Sequence, residues 1–200
     1  MKKDFFEHKS NDYEKDKNRV NNVQNIANAI LDEINFNKSM NILDFGSGTG
    51  LLLEKIAPFV KKITAIDMSS SMNKKLDEKR DKLDCELEIL EIDLTKVKLD
   101  QKFDSIISSM TLHHIKDIEK LFTIFYELLN NNGTIALADL DIEDGTFHTE
   151  DTGVHHFGFH RDEIVNIAKK SGFKNIKIES ASVASKPHGD YPIFLLTGTR

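Results

Sequence analysis

Residues 42–50, Ile-Leu-Asp-Phe-Gly-Ser-Gly-Thr-Gly, run an apolar strand into three alternating glycines behind an aspartate. About a strand's length further on, Ile63-Thr-Ala-Ile-Asp67 ends a second apolar strand in another acid. A chain that repeats strand, tight turn and helix in this way crosses over right-handed. It builds a parallel sheet covered by helices on both faces. Such a sheet presents a nucleoside cofactor to the carboxyl ends of its strands.

The same alternation continues to the end of the chain. Strands are expected at 41–45, 62–67, 86–92, 103–109 and 134–138, with helices from about 49 to Pro58, behind Ser69–Ser71, over 116–130 and over 161–171. Two late strands, 174–180 and 191–198, have no helix between them and should pair antiparallel, joined by a polar loop with Pro187 and Gly189. Residues 1–40 differ from the rest. A polar leader with Phe5, Phe6 and Tyr13 as anchors precedes one amphipathic helix, spaced Val20, Val23, Ile26–Ala27, Ile30–Leu31, Ile34. The expected organisation is an N-terminal helical cap (1–40) on a cofactor-binding domain (41–200), one structural domain overall.

Two hundred residues at 39% hydrophobic support one substantial core. A net charge of −6 argues against a nucleic-acid partner, which would need a basic face. The lysines are interleaved with acids, as in 74–82, the pattern of a solvated helix face. One cysteine, Cys85, rules out an intrachain disulfide and fits a reducing compartment. The acids around it disfavour a thiolate, so no reactive role is expected. No apolar run approaches a membrane span and the first residues lack a signal peptide's apolar stretch, so a cytoplasmic chain with no membrane partner is expected.

The spacing separates one cofactor from another. A dinucleotide fingerprint needs a small residue where this chain has Leu51, and a phosphate loop needs a Gly-Lys-Ser/Thr that is absent. Asp44 would repel a pyrophosphate and suits a cofactor with a cationic amino group. Gly46, Gly48 and Gly50 let the backbone pass close to a ligand and turn sharply into a helix N-terminus, whose free N–H groups favour anionic or polar ligand groups. Asp67 can accept two hydrogen bonds from a ribose diol, Met68 can pack on adenine, and Asp93 can approach its exocyclic amine. Three acids at three strand ends describe a nucleoside pocket without a phosphate site.

These motifs resemble the class I methyltransferases that use S-adenosylmethionine, over most of the chain. Ile42–Gly50 looks like the family's first motif, Ile66-Asp67-Met-Ser its second and Ile92-Asp93-Leu94 its adenine-contacting motif. Phe103–Ile115 resembles the fourth-strand motif, and Leu128–Thr134 a Leu-x-Pro-Gly-Gly turn with asparagines substituted. Val154-His-His-Phe-Gly-Phe159 and Tyr191–Thr197 are similar to a subgroup of small microbial methyltransferases, mostly without assigned substrates. The resemblance implies a Rossmann-like, seven-stranded, mostly parallel sheet with the last strand antiparallel. It implies in-line methyl transfer to a small-molecule acceptor, with S-adenosylhomocysteine as product. Ser47, Leu94 and Ser109 join the implied cofactor contacts, and Tyr13 would close over the methionine end with Arg19 as a carboxylate partner. The quinone-methylating pattern after the fourth strand and the Asn-Pro-Pro-Tyr signature are both absent.

Where an acceptor starts protonated, His113, His114, His155 and His156 are the candidate bases. Bland readings stand beside these: a helix cap or sheet-edge filler for His113 and His114, core-edge packing for Met68 and Leu94, a docking anchor for Tyr13. His148, His155, His156 and His160 invite a metal reading, but no third ligand has clear spacing, so none is expected. A cofactor-binding sensor without turnover, and a nucleotide-dependent oxidoreductase, stay open. The acceptor atom and the oligomeric state are not legible.

Overall fold

The computed structural model describes residues 4, 6–150 and 152–200; Phe5 lies outside them. Seven strands form one sheet: β1 (Asn41–Phe45), β2 (Lys62–Ile66), β3 (Glu86–Leu90), β4 (Phe103–Ser109), β5 (Leu129–Leu140), β6 (Lys174–Lys186) and β7 (Gly189–Thr199). Their order is β3-β2-β1-β4-β5-β7-β6. β3, β2, β1, β4 and β5 are mutually parallel, and β7 runs antiparallel to both β5 and β6. Successive strands are added outward in opposite directions from β1 and β4, and this switch in strand order opens a crevice at their carboxyl ends.

The helices are α1 (Lys17–Glu33), α2 (Leu51–Ile56), α3 (Ser70–Asp77), α4 (Ile118–Leu128) and α5 (Arg161–Lys170). Each start has a local cause. Asp16 caps α1 by accepting from the amides of Asn18 and Arg19, Ser69 caps α3 through Met72, and Asp117 caps α4 through Lys120. Pro58 turns the end of α2 into a short 3-10 segment, Ala57–Phe59.

Alternation along β1 shows how the core divides. Ile42 joins Ile26, Ile30, Leu53, Ile56 and Ile63 on the face covered by α1 and α2, while Leu43 and Phe45 join Phe122, Phe125 and Ile164 under α4 and α5. The N-terminal region packs onto the sheet, with α1 against α2 and β6.

Three elements differ from the sequence expectation. The segment 181–190, expected as a loop, extends the last two strands into a long hairpin turning at Pro187–His188. Its residues read as polar because β6 is the sheet edge and half of them face solvent. The Asn131–Gly133 turn is absorbed into β5, where Asn132 takes a left-handed conformation and the register to β4 slips between Phe103 and Ser105. The third strand stops at Leu90, two residues early. Among the described residues no helix is long and apolar enough to cross a membrane.

Candidate functional site

The carboxyl ends of β1, β2 and β4 floor a cavity of 1110 Å³. The glycine turn forms its base. The amides of Gly46 and Ser47 donate to the Ile66 carbonyl, at 2.7 and 3.2 Å, and that of Gly48 donates to Asp67 Oδ2 at 2.9 Å. These N–H groups fasten the turn to β2 and its following acid. Gly46 has φ of +73°, and a Cβ there would meet Thr111 Oγ1 at 2.1 Å, so only glycine lets this loop pass the one after β4. Gly50 does not line the cavity; it precedes α2 and lies under Leu76.

Asp44 is 1% exposed and its Oδ2 has no hydrogen-bond partner. Burial, and then the neighbouring Asp67 carboxylate, push its pKa up to about 8. Among the described residues six buried side-chain oxygens lack a partner, those of Asn22, Asp44, Ser47, Thr49, Asn73 and Ser109. All but Asn73 line this cavity. Buried polar atoms are otherwise almost always paired, so this concentration marks a surface shaped for a polar ligand.

Asp67 is raised by burial, against the amides of Ser69 (2.8 Å) and Gly48 that its two oxygens accept. Each oxygen keeps a second lone pair for a diol. Met68 is 49% exposed beside it on the cavity wall, and Leu94 lines the wall while packing into the core. Asp93 reaches the cavity, but its carboxylate turns back onto the Thr95 hydroxyl and amide (2.6 and 3.1 Å) and Lys96 Nζ (2.5 Å). Burial raises its pKa, yet these partners outweigh that and leave it lowered. In this arrangement the carboxylate caps the turn that follows β3.

The leader residues lie along the cavity. Asp4 accepts from the Ser69 hydroxyl and from the Ser71 amide at 3.1 Å, and Lys9 pairs with Glu150 at 2.8 Å. Arg19 stacks over the Tyr13 ring at 4.1 Å while donating to the Tyr13 carbonyl, and both residues line the cavity.

The opposite wall carries histidines. His113, fully buried, directs Nδ1 at Asp139 Oδ1, 2.6 Å away, and Nε2 at His148 Nε2, 3.1 Å away. His114 and His148 are held neutral, with burial first and then His113 lowering them to about 4 and about 3. Asp139 is buried, which opposes ionisation, but its interaction with His113 and its hydrogen bonds to His113 and the Leu140 amide hold its carboxyl below the usual range. His155 is exposed on the cavity wall. His156 is not on it: its Nε2 meets the Ile115 carbonyl at 2.9 Å and its ring tilts against Phe159. This contact ties the 141–160 loop to the segment between β4 and α4.

Asp139 escaped the sequence reading, although it directly follows the expected fifth strand and obeys the strand-end rule that exposed Asp44 and Asp67. Asp4 gave no signal, because a lone acid in a polar leader looks like any other.

A family profile described as Methyltransferase domain matches residues 19–178. An uncharacterised methyltransferase of Schizosaccharomyces pombe is 33% identical over 164 residues, covering 74% of this chain and 56% of that protein. The chain spans about half to two thirds of the length of the curated relatives it matches. Among solved structures, a chain of the Haloferax volcanii complex between the Trm112 methyltransferase activator and a methyltransferase candidate has a TM-score of 0.81 at 16% identity, covering 100% of this chain and 99% of that one. Haemonchus contortus phosphoethanolamine N-methyltransferase 2, in complex with S-adenosyl-L-methionine, gives 0.71 at 18% identity, covering 87% of this chain and 52% of that one.

Proposed function

This chain belongs to the methyltransferase-domain family, and from that premise we propose that it binds S-adenosylmethionine and transfers the methyl group in line to a small-molecule acceptor. The observation that carries the reading is the set of unpartnered buried oxygens around Asp44 on the cavity wall. A pocket with one orphaned carboxylate and a second acid with lone pairs to spare suits a nucleoside with a cationic amine. The residues present fit the cofactor. Asp67 would hold the ribose diol, Asp44 and Ser109 the methionine amine, Arg19 beside Tyr13 the carboxylate, and Met68 with Leu94 the base.

When bound, the cofactor supplies an activated methyl group on a sulfonium. The chain's task is to hold an acceptor in line with it and keep water out. The leader, tied down through Asp4 and Lys9, closes one side of the cavity. His155, at the exposed end of the histidine wall, is the candidate base for an acceptor that starts protonated. The acidic net charge and the cavity's size favour a small molecule over a nucleic acid.

Calorimetry with S-adenosylhomocysteine, the expected product, tests the pocket. Asp67→Ala should lose binding by about 100-fold or more, as for a charged buried acceptor removed from its ligand. Unchanged affinity would sink the assignment. A metabolite screen following S-adenosylhomocysteine release tests turnover, and His155→Ala should lower it by about 100-fold while sparing cofactor affinity.

A further inference from the structure

The histidine wall has an order that methyl transfer does not require. His113, His114 and His148 each place one ring nitrogen within 4.8 Å of the other two, and all three line the cavity. Nδ1 of each ring faces an oxygen. His113 Nδ1 meets Asp139 at 2.6 Å, His148 Nδ1 meets the Thr152 hydroxyl at 3.1 Å, and His114 Nδ1 faces the Gly153 carbonyl at 3.4 Å. A ring nitrogen held by an oxygen, with the other left for a common centre, is how ligating imidazoles are oriented around a metal, and His113 and His148 turn their Nε2 atoms to each other in this way.

The central pair adds a second argument. His113 Nδ1 is engaged by the Asp139 carboxylate, and its Nε2 is aimed at His148 Nε2. Two imidazole nitrogens on one tetrahedral zinc, each about 2.0–2.1 Å from it, stand about 3.3 Å apart. The 3.1 Å between His113 and His148 is close to that span, and the His114 ring needs to close by at most about 1.5 Å to complete it.

We propose that His113, His114 and His148 bind a divalent transition metal of the zinc type, with Asp139 orienting His113 from behind. Three neutral imidazoles select such a metal over magnesium or calcium, which take oxygen ligands. Its remaining coordination position opens onto the cavity. There it presents a Lewis-acid face to whatever ligand occupies the acceptor side.

The test uses the full chain, stripped with a chelator and titrated with Co²⁺, then with Zn²⁺ in competition. One Co²⁺ per chain with the intense visible absorption of a tetrahedral site is expected, displaced by Zn²⁺. His114→Ala and His148→Ala should each weaken binding about 100-fold and Asp139→Asn by about 10- to 100-fold. His160→Ala, outside the cavity, should keep it. Far-UV circular dichroism checks that each variant folds. Metal bound no more tightly by the natural chain than by the His114→Ala/His148→Ala double variant overturns the proposal and leaves a plain hydrogen bond between His113 and His148. S-adenosylhomocysteine calorimetry on the same samples separates the readings. A chain that binds metal but not this nucleoside overturns only the cofactor assignment, and the converse overturns only the metal site.

Discussion

Asp44 sits in β1 where water is excluded, with one oxygen unpaired and a second acid nearby. Its conformation is fixed by the strand, so it cannot turn away to find a donor. The unliganded protein therefore keeps it protonated up to about pH 8, whereas an unfolded chain releases that proton near 3.8. Between those values the folded state binds more protons than the unfolded one, and the slope of stability against pH is negative. Asp44 thus lowers stability progressively as pH rises from about 4 to about 8. Thermal melts of the unliganded protein across this interval should show Asp44→Asn gaining on the natural chain as pH rises; parallel curves would contradict the assignment. Asn has no charge to offer an ammonium group, so the same variant should bind S-adenosylhomocysteine about 100-fold more weakly, a loss of the size expected for a buried charge-assisted hydrogen bond. Binding to the natural chain should also release a proton at pH 7, read by calorimetry in two buffers of different ionisation heat.

Loops and caps carry the site at the next scale up. The loop after β5 returns to the sheet at Phe159, through the bridge Asp141–Phe159 and the Glu143 amide on the Phe157 carbonyl. Gly158 makes this return with φ of +74°, and a Cβ would stand 2.1 Å from the Asp141 carbonyl oxygen. Gly158→Ala should cost about 2–4 kcal/mol in urea denaturation, combining left-handed strain with a backbone clash. Its effect on turnover should exceed its effect on cofactor affinity, because the loop carries His148 and His155 but none of the strand-end acids. Helix starts were legible at this scale. The sequence places a helix behind the serines 69–71, and Ser69 is the one that caps it, since capping chemistry is local. The extended hairpin of β6 and β7 was not legible, because an edge strand is stabilised by its neighbour and leaves its outward face polar.

At the scale of the whole molecule, two apolar layers hold the sheet so that its strand ends meet in one crevice. Phe125 is fully buried at the centre of one layer, edge-on to Phe45 at 5.2 Å and beside Phe122. Phe125→Ala should cost about 3–5 kcal/mol of stability, read by chemical denaturation, through lost burial plus an unfilled cavity. Because Phe45 precedes the glycine turn, cofactor affinity should fall with it, while Phe157→Ala, at an exposed ring, should leave stability within about 0.5 kcal/mol. The parallel sheet, the order of its helices and the acids at 44 and 67 follow from the sequence alone, because hydrophobic period, glycine turns and strand-end acids act within a few residues of each other. Only the tertiary structure decided which histidines meet. His113 and His148 are 35 residues apart and Asp139 lies 26 residues beyond His113. No local pattern carries their approach, because it depends on β4 and β5 lying side by side and on a loop folding back over both.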